Sequence, residues 1–185
     1  GGMRFFLDHT DRDIDSALCV EGMNLGRLSY SSLGMARGVI SAETSGEASN
    51  FEEATSGVIA ALNRLVAEML KINQQEYPAI KLLIGSIEAG SGYNVPPGVG
   101  KVRFEIRGED AGKVAKIEKA VLGLVSQAQV GDTTSLKVEM IAHREPGDLG
   151  EKHPLVCQAR GALEELGIEP RVEPSISELS ALLDK

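Results

Sequence analysis

The chain contains no tryptophan, and aromatic residues fill only 4% of its 185 positions. An interior built without large rings must be aliphatic. The hydrophobic share of 42% is ample for that, and it excludes a disordered chain. Positive charge is also in deficit: 19 Lys and Arg stand against 27 Asp and Glu, a net charge of −8. Binding to phosphate backbones needs a basic face, so nucleic acid is not an expected partner. The same balance argues against anionic membrane surfaces. No apolar run approaches the ~20 residues of a membrane span, so no membrane partner is expected. Arg4-Phe5-Phe6-Leu7 is too short for a signal-peptide core and runs straight into Asp8. Cysteine is scarce, with Cys19 and Cys157 far apart and no Cys-x-x-Cys pair. Two distant thiols in apolar settings read as buried, reduced groups of a cytoplasmic protein. His143 and His153 flank the Arg144–Lys152 segment and surface or capping roles are expected of them, and His9 lies in a charged N-terminal stretch that points to no site.

What is present is periodicity. Ser16 to Val20 is a short apolar run that reads as a buried strand. Leu33 to Thr44 is a second extended candidate. Val58, Leu62, Leu65, Met69 and Ile72 recur at helical spacing, which predicts a helix over Phe51–Ile72. Ser49 with Glu52, or Asn50 with Glu53, suits a capping box at its start, and Gly57 weakens its first turns. Ile80 to Ser86 reads as a strand, and the glycines and prolines from Gly85 to Gly100 as a long loop. Val102, Phe104 and Ile106 alternate with Lys101, Arg103, Glu105 and Arg107, the cleanest period of two in the chain. Glu109 or Asp110 opens a helix with Val114, Ile117, Val121, Leu124 and Ala128 on one face, ended by Gly131-Asp132. Leu136, Val138 and Met140 mark another strand.

From Leu33 to Ile141 the order is strand, helix, strand, strand, helix, strand. This is the split βαβ, ferredoxin-like pattern of an α+β fold: a four-stranded antiparallel sheet with two helices on one face. Arg144 to Lys152 then reads as a linker. Pro154 to Leu166 is a helix with Pro in its first turn and Gly167 as its stop. A short extended piece over Ile168–Val172 and a last helical piece near Leu179–Leu183 follow. The expected organisation is 1–25 and 143–185 as pieces of one α/β domain around a 26–142 insert.

Several segments together carry a resemblance. They are Met140-Ile141-Ala142-His143-Arg144-Glu145-Pro146-Gly147-Asp148, Lys152-His153-Pro154-Leu155-Val156, Leu166-Gly167-Ile168-Glu169-Pro170 and Pro174-Ser175-Ile176-Ser177-Glu178-Leu179-Ser180. Read with Asn94-Val95-Pro96-Pro97 and Glu21-Gly22, their order resembles the second half of zinc-dependent exopeptidases of the carboxypeptidase G, aminoacylase and tripeptidase T type. The resemblance implies a ferredoxin-like lid that also forms a homodimer interface, set between two pieces of a catalytic domain. It implies hydrolysis of peptide or N-acyl amide bonds by a zinc-activated water in the intact parent. The family's first half holds most metal ligands. The expectation is therefore that this chain alone binds no zinc and is inactive.

Residue by residue, the resemblance makes Glu21 a carboxylate zinc ligand; the residue reads equally as a solvated turn Glu. Asn94 resembles a contact to the substrate of the partner subunit, beside its plain turn chemistry. Arg144 resembles the Arg that binds a substrate carboxylate, for which a guanidinium fork is suited, although Glu145 is inserted before Pro146. Gly46-Glu47-Ala48-Ser49 stands where most members carry Gly-Gly-His-Ser, so Ala48 replaces an oxyanion-stabilising His. Glu178 and Ser180 stand where the family's Ser-Ser-Thr-Asp-Ala-Asn turn has Asp and Asn. The expected dimer surface is Leu33–Thr44 at the sheet edge with the Phe51–Ile72 helix, whose second apolar row is Ile59, Val66 and Leu70. Two other readings stay open: a small-ligand regulatory module with its loop at Gly90–Gly100, and a structural assembly domain of an inactive homologue.

Overall fold

The computed structural model describes residues 2–20, 22, 24–44, 57–128, 134–175 and 179–183. The chain divides into two compact units, Met35–His143 and Gly1–Gly34 with Arg144–Lys185.

The Met35–His143 unit is built on four long strands, β3 (Gly34–Thr44), β4 (Ile80–Ala89), β5 (Val99–Gly108) and β6 (Thr134–Arg144). Two helices join them, α2 (Val58–Glu76) and α3 (Ala111–Ala128). The strands form one antiparallel sheet in the order β4-β5-β3-β6. Alternation explains β5: Val102, Phe104 and Ile106 are buried, and Lys101 and Arg103 between them are exposed. The helices bury the faces that their spacing predicts. Val58, Ala61, Leu62, Leu65 and Met69 of α2 join Val114, Ile117, Val121 and Val125 of α3 in one core with Ile40, Ile80 and Ile106. A single core shared by both helices and the sheet puts the helices on one sheet face. Asp110 starts α3 by accepting a hydrogen bond from Lys113 N at 2.7 Å.

Four expectations need correction in this unit. Leu33–Thr44 does not lie at the sheet edge: β3 sits between β5 and β6, and the edges are β4 and β6. The Gly85–Gly100 loop shrinks to residues 90–98, because β4 continues through Gly85 with a register shift between Ile84 and Ser86. A bulge is where a glycine suits a strand. Gly57 is the N-cap of α2 rather than part of its first turn, and α2 extends past Ile72 to Glu76. Residues 51–56, the capping boxes at Ser49 and Asn50, and Gly131-Asp132 lie outside the described residues.

The second unit opens on helix α1 (Gly2–His9), which the sequence reading did not anticipate. Its ring pair Phe5 and His9 stacks at 4.1 Å. Ser16–Val20 forms no strand, and Leu18 and Val20 are exposed. An apolar run becomes a strand only where a neighbour supplies ladder hydrogen bonds, and none does so among the described residues. The strands here are β1 (Arg27–Leu28), β2 (Ser31–Ser32), β7 (Gly147–Asp148) and β8 (Arg171–Val172). β1 pairs parallel with β8, and β2 pairs antiparallel with β7. Residues 26–33 thus lie between two returning segments: Arg171 N donates to Gly26 O and Ser175 N to Ser31 O on one side, and Leu149 N to Tyr30 O on the other. β7 interrupts the expected Arg144–Lys152 linker.

Helix α4 (Pro154–Glu165) has His153 as N-cap, its Nδ1 accepting from Leu155 N, and Gly167 with φ +71° beyond its end. Helix α5 (Leu179–Leu183) falls where the sequence places it. Cys19 is half-buried and Cys157 exposed, so the expected burial of both fails. Cys157 lies on the outward side of α4, next to buried Val156.

Candidate functional site

The site residues named by the sequence reading scatter. Asn94 is exposed in the 90–98 loop that joins β4 to β5. Thr44 N donates to Gly98 O, and Thr44 Oγ1 lies 3.1 Å from Thr134 Oγ1. The loop therefore sits at the sheet end where β3 finishes and β6 begins. Arg144 is the last residue of β6, ten residues beyond Thr134. At roughly 3.3 Å per residue, the strand separates the two sheet ends by on the order of 30 Å. Asn94 and Arg144 of one chain do not share a site. Glu21, Gly46-Glu47-Ala48-Ser49 and Glu178 lie outside the described residues. Ser175 forms a parallel bridge with Ser32, and Ser180 is buried in α5.

Among the described residues, no three of His, Cys, Asp and Glu gather to hold a metal ion. These residues by themselves do not fit the zinc site that the resemblance implies.

The helix-free face of the sheet carries the unit's main polar network. Glu105 on β5 accepts hydrogen bonds from Arg37 on β3 and from Arg107 on its own strand. Burial pushes the Glu105 carboxyl up, since its side chain is only 14% exposed. The hydrogen bonds and positive charges of Arg107 and Arg37 outweigh that, and the net shift is below the ordinary carboxylate value. Beside this group, Arg103 bonds Ser86 Oγ at 3.0 Å and pairs with Glu88 across the β4–β5 ladder.

In the other unit, sequence reading missed Arg27. Its Nη2 donates to Pro174 O at 2.9 Å, and it lines a cavity with Tyr30 and Ser175. Nothing local marks this arginine, because its partners are 147 residues away.

No family model matches the chain, and no curated protein matches it in sequence. Solved structures do match. An amidase of the hydantoinase/carbamoylase family from Burkholderia vietnamiensis aligns with a TM-score of 0.69 at 16% identity, over 80% of this chain and 36% of that one. The aminopeptidase PepT from Bacillus cereus ATCC 10987 aligns with a TM-score of 0.65 at 17% identity, over 84% of this chain and 43% of that one. AtUAH in complex with (S)-hydroxyglycine aligns with a TM-score of 0.63 at 14% identity, over 82% of this chain and 36% of that one. The chain spans less than half the length of these proteins. At such identities the likeness is one of fold: this chain has the α+β fold of a portion of amidase and peptidase structures.

Proposed function

We propose that this chain is the ferredoxin-like lid, with flanking catalytic-domain segments, of a metal-dependent hydrolase that cleaves peptide or N-acyl amide bonds. The fold likeness to hydantoinase/carbamoylase amidases and to an aminopeptidase is the observation that carries it. Those proteins are named for breaking carbon–nitrogen bonds. In this reading zinc belongs to the intact parent, Glu21 is one of its ligands, and the chain alone does not turn over substrate.

The separation of Asn94 from Arg144 supports a homodimer. If both residues touch one substrate, and one chain holds them at opposite ends of a sheet, they come from two copies. The dimer surface differs from the one expected of the sequence. Helix α2 packs over β4, and β4 is an edge strand while β3 is internal, so in this reading a partner on the outer row of α2 meets the β4 edge and not β3. Ile59 and Leu70 on that row are 56% and 45% exposed, and Leu83 and Ile87 are exposed on β4. Val66, the third residue of the row, packs against the core.

Light scattering coupled to gel filtration tests the assembly: the expected mass is near twice 19.6 kDa. A monomer at every concentration would remove the lid-dimer role. Incubation with dipeptides and N-acyl amino acids plus Zn²⁺ tests the division of labour. Turnover by this chain alone would overturn the assignment of the metal site to the intact parent.

A further inference from the structure

The Gly1–Gly34, Arg144–Lys185 unit contains a cavity of about 180 Å³. At the ~10–15 Å³ that one water requires, it accommodates on the order of ten heavy atoms. Leu28, Leu149 and Leu155 form much of its wall, and Arg27, Tyr30 and Ser175 give it polar character. Of the described residues that line it, Arg27 alone carries a charge.

The Arg27 guanidinium is not fully used. Its side chain is 17% exposed. Nη2 is bonded to Pro174 O at 2.9 Å. Nε is buried without a hydrogen-bond partner. It lies 3.3 Å from Glu173 Oε2, near enough for an ion pair but outside hydrogen-bond geometry. Glu173 is itself 59% exposed, so water screens its hold on the arginine. The first turn of α4 also borders the cavity, but its amides are taken: Leu155 N bonds His153 Nδ1, and Val156 N and Cys157 N bond His153 O. Recognition of charge in the cavity falls to Arg27.

We propose that this cavity binds a small amphipathic monocarboxylate, with the carboxylate on the Arg27 guanidinium and the apolar tail against Leu28, Leu149 and Leu155. A guanidinium offers parallel donors to a carboxylate, and the aliphatic wall rewards a hydrocarbon tail. The proposal does not rest on the hydrolase reading: binding here needs neither metal, turnover nor a second copy, so the two fail separately.

The test is calorimetric titration of the 185-residue chain with sodium hexanoate and, in parallel, with hexanol. Hexanoate is expected to bind more tightly than the uncharged alcohol. Arg27→Gln should weaken hexanoate roughly tenfold or more, the scale of one charge-assisted hydrogen bond, and leave hexanol unchanged. Because Arg27 also holds Pro174, two further variants avoid that contact. Glu173→Gln removes the competing anion at an exposed position and should tighten hexanoate binding. Ala159→Leu fills the cavity from α4 and should abolish binding of both probes. Equal affinity for the two probes, no hexanoate binding, or indifference to Glu173→Gln would overturn the proposal.

Discussion

Thr44 Oγ1 and Thr134 Oγ1 meet at 3.1 Å, joining the end of β3 to the start of β6. Thr134 is buried, so its hydroxyl has no water to fall back on. Thr134→Val leaves the Thr44 hydroxyl without this partner and should cost about 1 kcal/mol. The double variant Thr44→Val/Thr134→Val should cost less than the sum of the singles, because neither hydroxyl is then stranded. A urea-denaturation double-mutant cycle reads the difference. Strict additivity would mean that the contact contributes nothing.

Glu105 makes stability depend on acid. Its folded-state pKa is depressed, so its contribution is fully present above the ordinary carboxylate value. It is lost as pH falls through the lower, folded-state value. Urea midpoints should therefore fall on that acid limb. Glu105→Gln should flatten this part of the profile and lower stability at neutral pH, since Arg37 and Arg107 then face each other without the anion between them. An acid limb of unchanged steepness in the variant would locate the pH dependence elsewhere.

Gly38 is a matter of space. A Cβ there would run into the Phe104 ring and stand 3.0 Å from Met140 Sδ. Gly38→Ala should destabilise by roughly 1–3 kcal/mol, the usual cost of overpacking a well-filled core. Adding Phe104→Leu should recover part of that loss, and thermal melts of the four variants would show the coupling.

The outer row of α2 offers a clean test of assembly. Ile59→Lys and Leu70→Lys each place a charge at an exposed position, so folding stability should change by under about 0.5 kcal/mol. Self-association should weaken strongly if these residues meet a partner. Light scattering and denaturation on the same samples separate the two effects. A dimer that survives both changes would move the interface off this helix.

Much of the sheet and its helices is legible in the sequence. Alternation at Val102, Phe104 and Ile106 marks β5. The spacing of Val114, Ile117 and Val121 marks the buried face of α3, and Pro154 with Gly167 brackets α4. These signals are local: the period of a segment reports which side faces the core, and a cap needs only its own next few residues. The candidate site was far less legible. Glu21 falls outside the described residues, and the separation of Asn94 from Arg144 at opposite ends of the sheet is written in no local pattern.

What the sequence determined by itself is the order of elements in the Met35–His143 unit and the face that each buries, because periodicity and capping are properties of contiguous residues. Only the tertiary structure decided which elements became neighbours. It put β3 inside the sheet, ran β4 through a bulge at Gly85, and threaded residues 26–33 between segments that return more than a hundred residues later. It also placed Arg27 against Pro174 over an aliphatic cavity. A period of two records that a strand has one dry side, but nothing within the strand names the partner that completes its hydrogen bonds. That choice is made by long-range pairing and by the core that forms within each unit.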